Sequence, residues 1–422
     1  MAEKETCDVI VIGGGSAAFE AAVSARQSGA EKVVMVEKAP EAEYGGNARF
    51  SHTGFRFCHD GKDEIRAFIP DVDAELFAAM EIKPYTEEEF LGDLNRVTEG
   101  LIDEDLAAAL TAESNAAAHW ALATGIKWIP EKYATIACAG GFQANPEMRA
   151  RYLGENADLL KVRGSKHDTG EVLAMIMGLG AKATGHWQGA HQTPIDAGAP
   201  RFETPVREDG RGNAMNRYDY CHGITVNSLG RRFFDEGESF HSYTYAKTGR
   251  AVRSQPGNIA YQIFDQKGIA MFRHGPDFPA TFEQAGTIEE LAAKAGLNPE
   301  IVAHTVTEYN HAVADDVPFD PSKLDGKCTT GITPPKSNWA QKIDAPPYRA
   351  YPVSGGITFT FGGLAVNTEA EVLNTSNQPI RGLYASGDII GLFYHNYPSC
   401  TGQTRNLVFS LKAGANAAAL GN

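Results

Sequence analysis

The residues best placed to do chemistry come first in a glycine pattern near the N-terminus, Gly13-x-Gly15-x-x-Ala18, followed by an acid, Glu37. Such a pattern has mechanical meaning between a strand and a helix. Gly13 permits the tight turn, Gly15 lets the backbone approach a pyrophosphate, and Ala18 allows close packing of helix on strand. The first N–H groups of the helix then face the phosphates, and the acid reaches ribose hydroxyls. Gly45-Gly46-Asn47 follows shortly after the acid, and the far end of the chain carries Leu383-Tyr-Ala-Ser-Gly387-Asp388. A carboxylate after a strand-end glycine can hold a ribityl chain, which NAD lacks. With no second GxGxxG, the dinucleotide these residues imply is one FAD, and its electrons must pass between a substrate and an external carrier.

The elements that position these residues are legible around them. Asp8-Val-Ile-Val-Ile12 is a β-branched run, as expected of a parallel strand buried on both faces. An alanine-rich helix runs on to Gly29, and Val33-Val-Met-Val-Glu37 is the second strand of a β-α-β unit. An amphipathic helix is predicted from about Asp103 to Thr124, and a buried strand at Ala134–Ala139 before Gly140-Gly141. From about Gln188 to Gly355 aromatic, proline and charged residues rise. There Thr287 with Glu290 predicts a capping box, and Asn298-Pro299 an N-cap with an N1 proline. Residues 317–347 are proline-rich and predicted irregular. The chain closes on a strand at Leu383–Ser386 and a helix from about Gly402.

Composition bounds the function classes. The 422 residues, 43% hydrophobic, suffice for two or three domains. Thirty-eight basic against 53 acidic residues give a net charge of −15, which argues against nucleic acid or an anionic membrane as partner. No apolar run has the ~18 residues of a membrane span, and no signal peptide pattern precedes the first strand. The cysteines (Cys7, Cys58, Cys138, Cys221, Cys328 and Cys400) form no CxxC or CxxCH, which excludes a zinc ribbon, a c-type haem and a cluster domain within the chain. Scattered thiols fit a reduced, cytoplasmic setting.

Several longer segments resemble the FAD-dependent fumarate reductase/succinate dehydrogenase flavoprotein superfamily, and most closely its tricarballylate dehydrogenase-type branch. They are Gly45-Gly-Asn-Ala-Arg-Phe50, Ala139-Gly-Gly-Phe-Gln-Ala-Asn145, Gly223–Glu236, Tyr243-Thr-Tyr-Ala-Lys247, Pro334–Trp339, Gly356–Gly363 and Phe393–Pro398. The resemblance implies an α/β fold: a Rossmann-like FAD-binding domain in two segments, 1–188 and 356–422, with an inserted α+β cap domain at 189–355. It implies non-covalent FAD, adding Ser16, Ala17, Lys38, Ala48, Gly140, Gly141 and Thr404 to the cofactor residues above. Ser51-His52-Thr53 has the wrong glycine spacing for a covalent flavin histidine. The reaction implied is conversion between a saturated carboxylate-bearing C–C bond and its alkene, with a small carboxylate substrate and a separate electron-transfer protein.

The residues that grip fumarate in better-known members read here as Tyr245, Phe359 and Tyr397, which argues against fumarate. Tyr245 becomes the candidate proton carrier, with Lys247 or Arg250 as the cation that would tune it. His191 is the surviving cap-edge histidine. Tyr397, His395, Arg405 and Thr358 are candidates for substrate binding. Plain structural roles stay open: a packed aromatic for Tyr245, a satisfied buried histidine for His191, a helix-surface charge for Arg405. A further departure is a gap. Between Trp128-Ile-Pro130 and Ala134 the family carries several tens of residues, where this chain has Glu131-Lys132-Tyr133. Loss of such a block should expose apolar surface and weaken the FAD site. The leading expectation is oxidation of a tricarballylate-type substrate. The alternatives are an alkene reductase, a dehydrogenase of a less charged, ketosteroid-like substrate, or a non-catalytic remnant.

Overall fold

The N-terminal β-α-β unit forms as its residues dictate: β1 (Val9–Ile12) and β2 (Val33–Val36) run parallel, Val9 beside Val33 through Ile12 beside Val36, with α1 (Ser16–Gln27) crossing between them. The computed structural model describes residues 6–50, 54–125, 139–203, 215–272, 275 and 280–421. Gly13 takes a left-handed φ of 125° at the end of β1, and its N–H donates to the Val36 carbonyl at 2.8 Å. The small side chains of α1, among them Ala17, Ala18, Ala21 and Ala25, are buried. They let the last helix, which runs from Thr401 to Gly421, lie directly across α1. A Cβ on Gly414 would stand 2.6 Å from the Ser24 Cβ, and the Ser24 hydroxyl donates to the Leu411 carbonyl at 2.7 Å. The two ends of the chain therefore build one cofactor domain, as the two-segment reading requires. Between them α2 (Glu104–Ala123) is capped by the Asp103 carboxylate on the Leu106 N–H.

A six-stranded sheet joins this domain to the cap. In chain order its strands are β3 (Lys161–Val162), β4 (Ala190–Asp196), β5 (Ile224–Asn227), β6 (Ile259–Phe264), β7 (Glu283–Ala285) and β8 (Tyr348–Thr360). β8, 13 residues long, pairs parallel with β3 and antiparallel with β4, β6 and β7, while β5 extends the sheet from β6. The expected boundary at 355/356 falls inside β8. Over the cap end of the sheet pack α4 (Pro299–Ala312), with Asn298 as its N-cap, and the helix Ile288–Lys294, burying Leu291, Val302 and Val306 against Ile224, Val226 and Ile263. The helix between β5 and β6, α3 (His241–Arg253), rests on β4. A Cβ on its Gly249 would stand 2.5 Å from the Gln192 carbonyl carbon, so only glycine permits this approach.

Three expectations are corrected. β1 is not buried on both faces: Val9 and Val11 are inside, but Ile10 and Ile12 are 56% and 40% exposed. Among the described residues β1 pairs with β2 alone, and a cavity of about 330 Å³ runs along it, bounded by Val172, Ile176, Leu383 and Ala385. The strand expected at Ala134–Ala139 and the gap at Glu131–Tyr133 lie, Ala139 apart, outside the described residues, as does Ser51-His52-Thr53. The C-terminal strand spans Pro379–Tyr384 rather than Leu383–Ser386, because it pairs back on Glu371–Leu373 as a hairpin. Thr287 accepts from the Glu290 N–H at 3.2 Å, but the reciprocal carboxylate bond of a box forms instead at Thr86 and Glu89. Residues 317–347 hold no helix or strand, as predicted.

One buried acid gives the fold a pH signature. Glu20 on α1 faces the last helix, and burial pushes its carboxyl up to about 8, opposed by the Ser410 hydroxyl. Its folded pKa is raised, so the folded chain holds a proton that the unfolded chain releases as pH climbs from about 4.5 to 8, and stability falls across that window. In chemical denaturation at stepped pH, Glu20→Gln should gain on the wild type by roughly 1.4 kcal/mol per pH unit there. A constant difference between the two would show that Glu20 ionises freely.

Candidate active site

The pairing of β4 with β8 sets His191 opposite Phe359, and their rings stack at 5.1 Å with 21° between planes. Because Gly249 seats α3 on β4, Tyr245, one turn earlier on the same helix face, comes over His191. The Tyr245 hydroxyl lies 3.0 Å from His191 Nε2. Tyr397 stands edge-on to His191 at 4.7 Å and accepts from the Gly402 N–H at 2.7 Å. Tyr218 closes the far side, edge-on to Tyr245 at 5.3 Å. Its hydroxyl accepts from Asn216 at 2.8 Å and from Arg163 Nη1 at 3.1 Å.

Burial controls the protonation of this cluster. It lifts the Tyr245 phenol well above its ordinary value, helped by Tyr397 and Tyr218, and lifts Tyr397 likewise. Burial, with the Arg163 charge, holds His191 well below the usual histidine range. Tyr245 and His191 are therefore both neutral at rest, and His191 Nδ1 is buried without a partner. In the tautomer with Nε2 bare, the phenol donates to it. Lys247 plays no part: it points outward to the Glu238 carboxylate at 2.6 Å, since two residues along a helix is the opposite face. Arg250 reaches the backbone carbonyl of His395 at 3.2 Å, not Tyr245. The neighbour of Tyr245 is a neutral imidazole where the sequence suggested a cation.

The other predicted residues fall around the cofactor end of β8. Asn47 donates to the Thr358 carbonyl and accepts from the Ser165 N–H at 2.9 Å, tying the Gly45–Ala48 segment to β8. The Thr358 hydroxyl is itself buried and unpartnered. Arg405 is no surface charge. It is fully buried, paired with Asp388, and lies 5.1 Å from the Phe393 ring and 5.6 Å from Phe359. Two expected roles, ribityl holder and substrate grip, thus meet in one ion pair, with Arg405 Nη1 left over. His395, at a left-handed φ of 53°, gives its N–H to His186 Nδ1 at 3.0 Å. Thr404 donates to the Arg56 carbonyl. Lys38 turns to Thr169 and Glu171, and Glu37 packs over Gly14 while accepting from the Ala39 N–H at 2.7 Å.

The residues fit an FAD. At the mouth of α1 the Ser16 hydroxyl is buried with no partner, beside the Gly13–Gly15 turn where phosphate oxygens would accept. Gly140 and Gly141 cannot carry side chains. A Cβ on Gly140 would stand 2.7 Å from an Asp168 oxygen, and one on Gly141 would strike Thr360, whose hydroxyl is also unpartnered. Asp168 escaped the sequence reading. It is buried, accepts from Gln143 at 2.8 Å, and is raised well above the usual carboxylate range by burial and by Asp388. Tyr218 and Arg163 escaped it too, because each comes from a segment with no motif of its own. Among the described residues no group of acids, histidines and cysteines could hold a metal ion.

A family model described as "FAD binding domain" matches residues 8–206 and, overlapping, 129–403. A probable fumarate reductase, Ifc3, of Shewanella frigidimarina (strain NCIMB 400) is 28% identical over 98% of this chain and 75% of its own. That alignment runs over 479 positions, more than the 422 residues here. A 4-oxocyclohex-2-ene-1-carboxylate 5-dehydrogenase of Sinomonas cyclohexanicum is 26% identical over 69% of this chain and 52% of its own, so the chain spans about half of that relative. Among solved structures, the open conformation of a flavocytochrome c3 fumarate reductase superposes with a TM-score of 0.70 at 22% identity, over 100% of this chain and 79% of that one.

The hydrogen-bonded pair makes a direct prediction. Tyr245→Phe removes the hydroxyl that meets His191 Nε2 while keeping the ring contacts, so turnover should fall by about 10²–10⁴ with the flavin spectrum unchanged. Steady-state kinetics beside the absorption spectrum reads both. Undiminished turnover would return Tyr245 to the role of a packed aromatic.

Proposed function

The chain belongs to the FAD binding domain family of fumarate reductase-type flavoproteins, and from that premise we propose an FAD-dependent oxidoreductase that interconverts a C–C single and double bond in a carboxylate-bearing substrate. The observation that carries the reading is the buried, neutral Tyr245–His191 pair where the cap helix meets the cofactor segments. Gly13, Gly15 and Ser16 would hold the pyrophosphate, Glu37 the ribose, and Asn47, Gly140, Gly141 and Asp388 the remainder. Bound there, FAD supplies the two-electron acceptor or donor. The chain's own residues handle the proton.

In the dehydrogenation direction Tyr245 Oη takes a proton from substrate carbon as its own passes to His191 Nε2. In reduction the same atoms run in reverse, starting from the phenol protonated as it rests. Burial keeps water from exchanging with the pair, and the stacked Phe359 and edge-on Tyr397 fix the imidazole plane. The direction we favour is dehydrogenation of the tricarballylate type, which the sequence resemblance implies. A second reading, a less charged ring substrate, is favoured by the three tyrosines and Phe359 that wall the site, and a relative named for a cyclohexene carboxylate supports it. The chain carries no haem or cluster motif, so we propose that electrons leave through a separate electron-transfer protein. Cys7, Cys58, Cys221 and Cys328 are free thiols, which supports a cytoplasmic setting. No described helix is long and apolar enough to cross a membrane.

Anaerobic mixing distinguishes the readings. Tricarballylate should bleach the flavin band in the first reading, and a saturated oxocyclohexane carboxylate in the second. Reoxidation of chemically reduced flavin by the alkenes alone would assign a reductase. No response to any of these would remove the carboxylate reading.

A further inference from the structure

Arg163 follows β3 and is 7% exposed. Its backbone N–H donates to the Ile357 carbonyl of β8 at 2.8 Å, which fixes the side chain at the junction of cofactor domain and cap. The loop beyond it is pinned as well: a Cβ on Gly164 would strike the Asn47 side chain. A guanidinium has five N–H donors. Here a single described bond engages them, from Nη1 to the Tyr218 hydroxyl, and Nε is buried with no acceptor. No described carboxylate pairs with it, whereas Arg405 has Asp388 and Arg217 has Asp196. A buried charge without a counter-charge is costly, and in a folded protein it is normally paired. Among the described residues no acid balances Arg163.

We infer that Arg163 is the anion anchor of the substrate site, gripping a single carboxylate of a substrate whose apolar body lies among Tyr218, Tyr245 and Phe359. The inference rests on the proposed carboxylate chemistry and narrows its substrate class. The Arg163 charge reaches His191, and Tyr218 links the guanidinium to the Tyr245 ring, so a carboxylate held there places the adjoining carbons toward Tyr245 Oη. The planar fork suits bidentate recognition, which a lysine cannot reproduce.

The test is calorimetric titration of purified wild-type, Arg163→Lys and Arg163→Met holoenzymes with benzoate and with benzamide, its neutral isostere. The wild type should prefer benzoate by at least about tenfold. Arg163→Met should lose benzoate affinity by about 30-fold or more while benzamide shifts by less than about threefold, and Arg163→Lys should fall between. Benzoate binding unchanged in Arg163→Met overturns the inference. So does a wild type indifferent to the charge, including one that takes up no benzoate at millimolar concentration. If Arg163→Met fails to fold, the wild-type contrast and the lysine variant still decide. Charge-selective binding through Arg163 without turnover of any carboxylate would sink the proposed reaction and leave the anchor standing. Carboxylate turnover with KM unmoved in Arg163→Met would do the reverse.

Discussion

The candidate active site depends on the register of one strand. β8 is hydrogen-bonded to β3 on the cofactor side and to β4, β6 and β7 across the cap. Within three successive residues it presents the Thr358 carbonyl to Asn47, the Phe359 ring to His191, and the Thr360 side chain to Gly141. A one-residue slip would turn each of these to the wrong face. The cofactor segments and the proton-handling pair are thus held in common alignment by backbone pairing, which a mobile loop could not provide.

Around that strand the charges are disposed unevenly. Arg405 and Asp388 neutralise one another beneath the aromatic wall, and Arg217 and Asp196 do so deeper in the cap. Tyr245 and His191 are kept neutral by burial, so neither holds a standing charge that the interior would have to stabilise. Arg163 is left as a buried cation with no described acid beside it. The anionic substrate proposed for this site would supply the missing charge, and with it an electrostatic bias on proton transfer between phenol and imidazole.

Much of this was legible in the residues, where the information was local. The glycine turn with its strand and helix, the helix from about Asp103, the Asn298 cap, and the irregular 317–347 stretch follow from nearest-neighbour rules. The meeting of Tyr245 with His191 was half legible: both residues were marked, but their bond depends on Gly249 admitting the helix to the sheet. Lys247 was misplaced because sequence nearness on a helix is not facial nearness. Arg163, Tyr218 and Asp168 were missed because the site joins single residues from segments that carry no motif. The exposure of Ile10 and Ile12 runs against the reading of β1 as a strand buried on both faces.

All of this requires that the cofactor domain closes around FAD, with β1 flanked by a cavity on one side. The visible absorption spectrum of the purified chain, taken before and after denaturation, tests that directly. The purified chain should show a flavin band near one FAD per chain, released in full when the protein unfolds. A colourless protein that FAD cannot reconstitute would contradict it and leave the Tyr245–His191 pair without an electron acceptor.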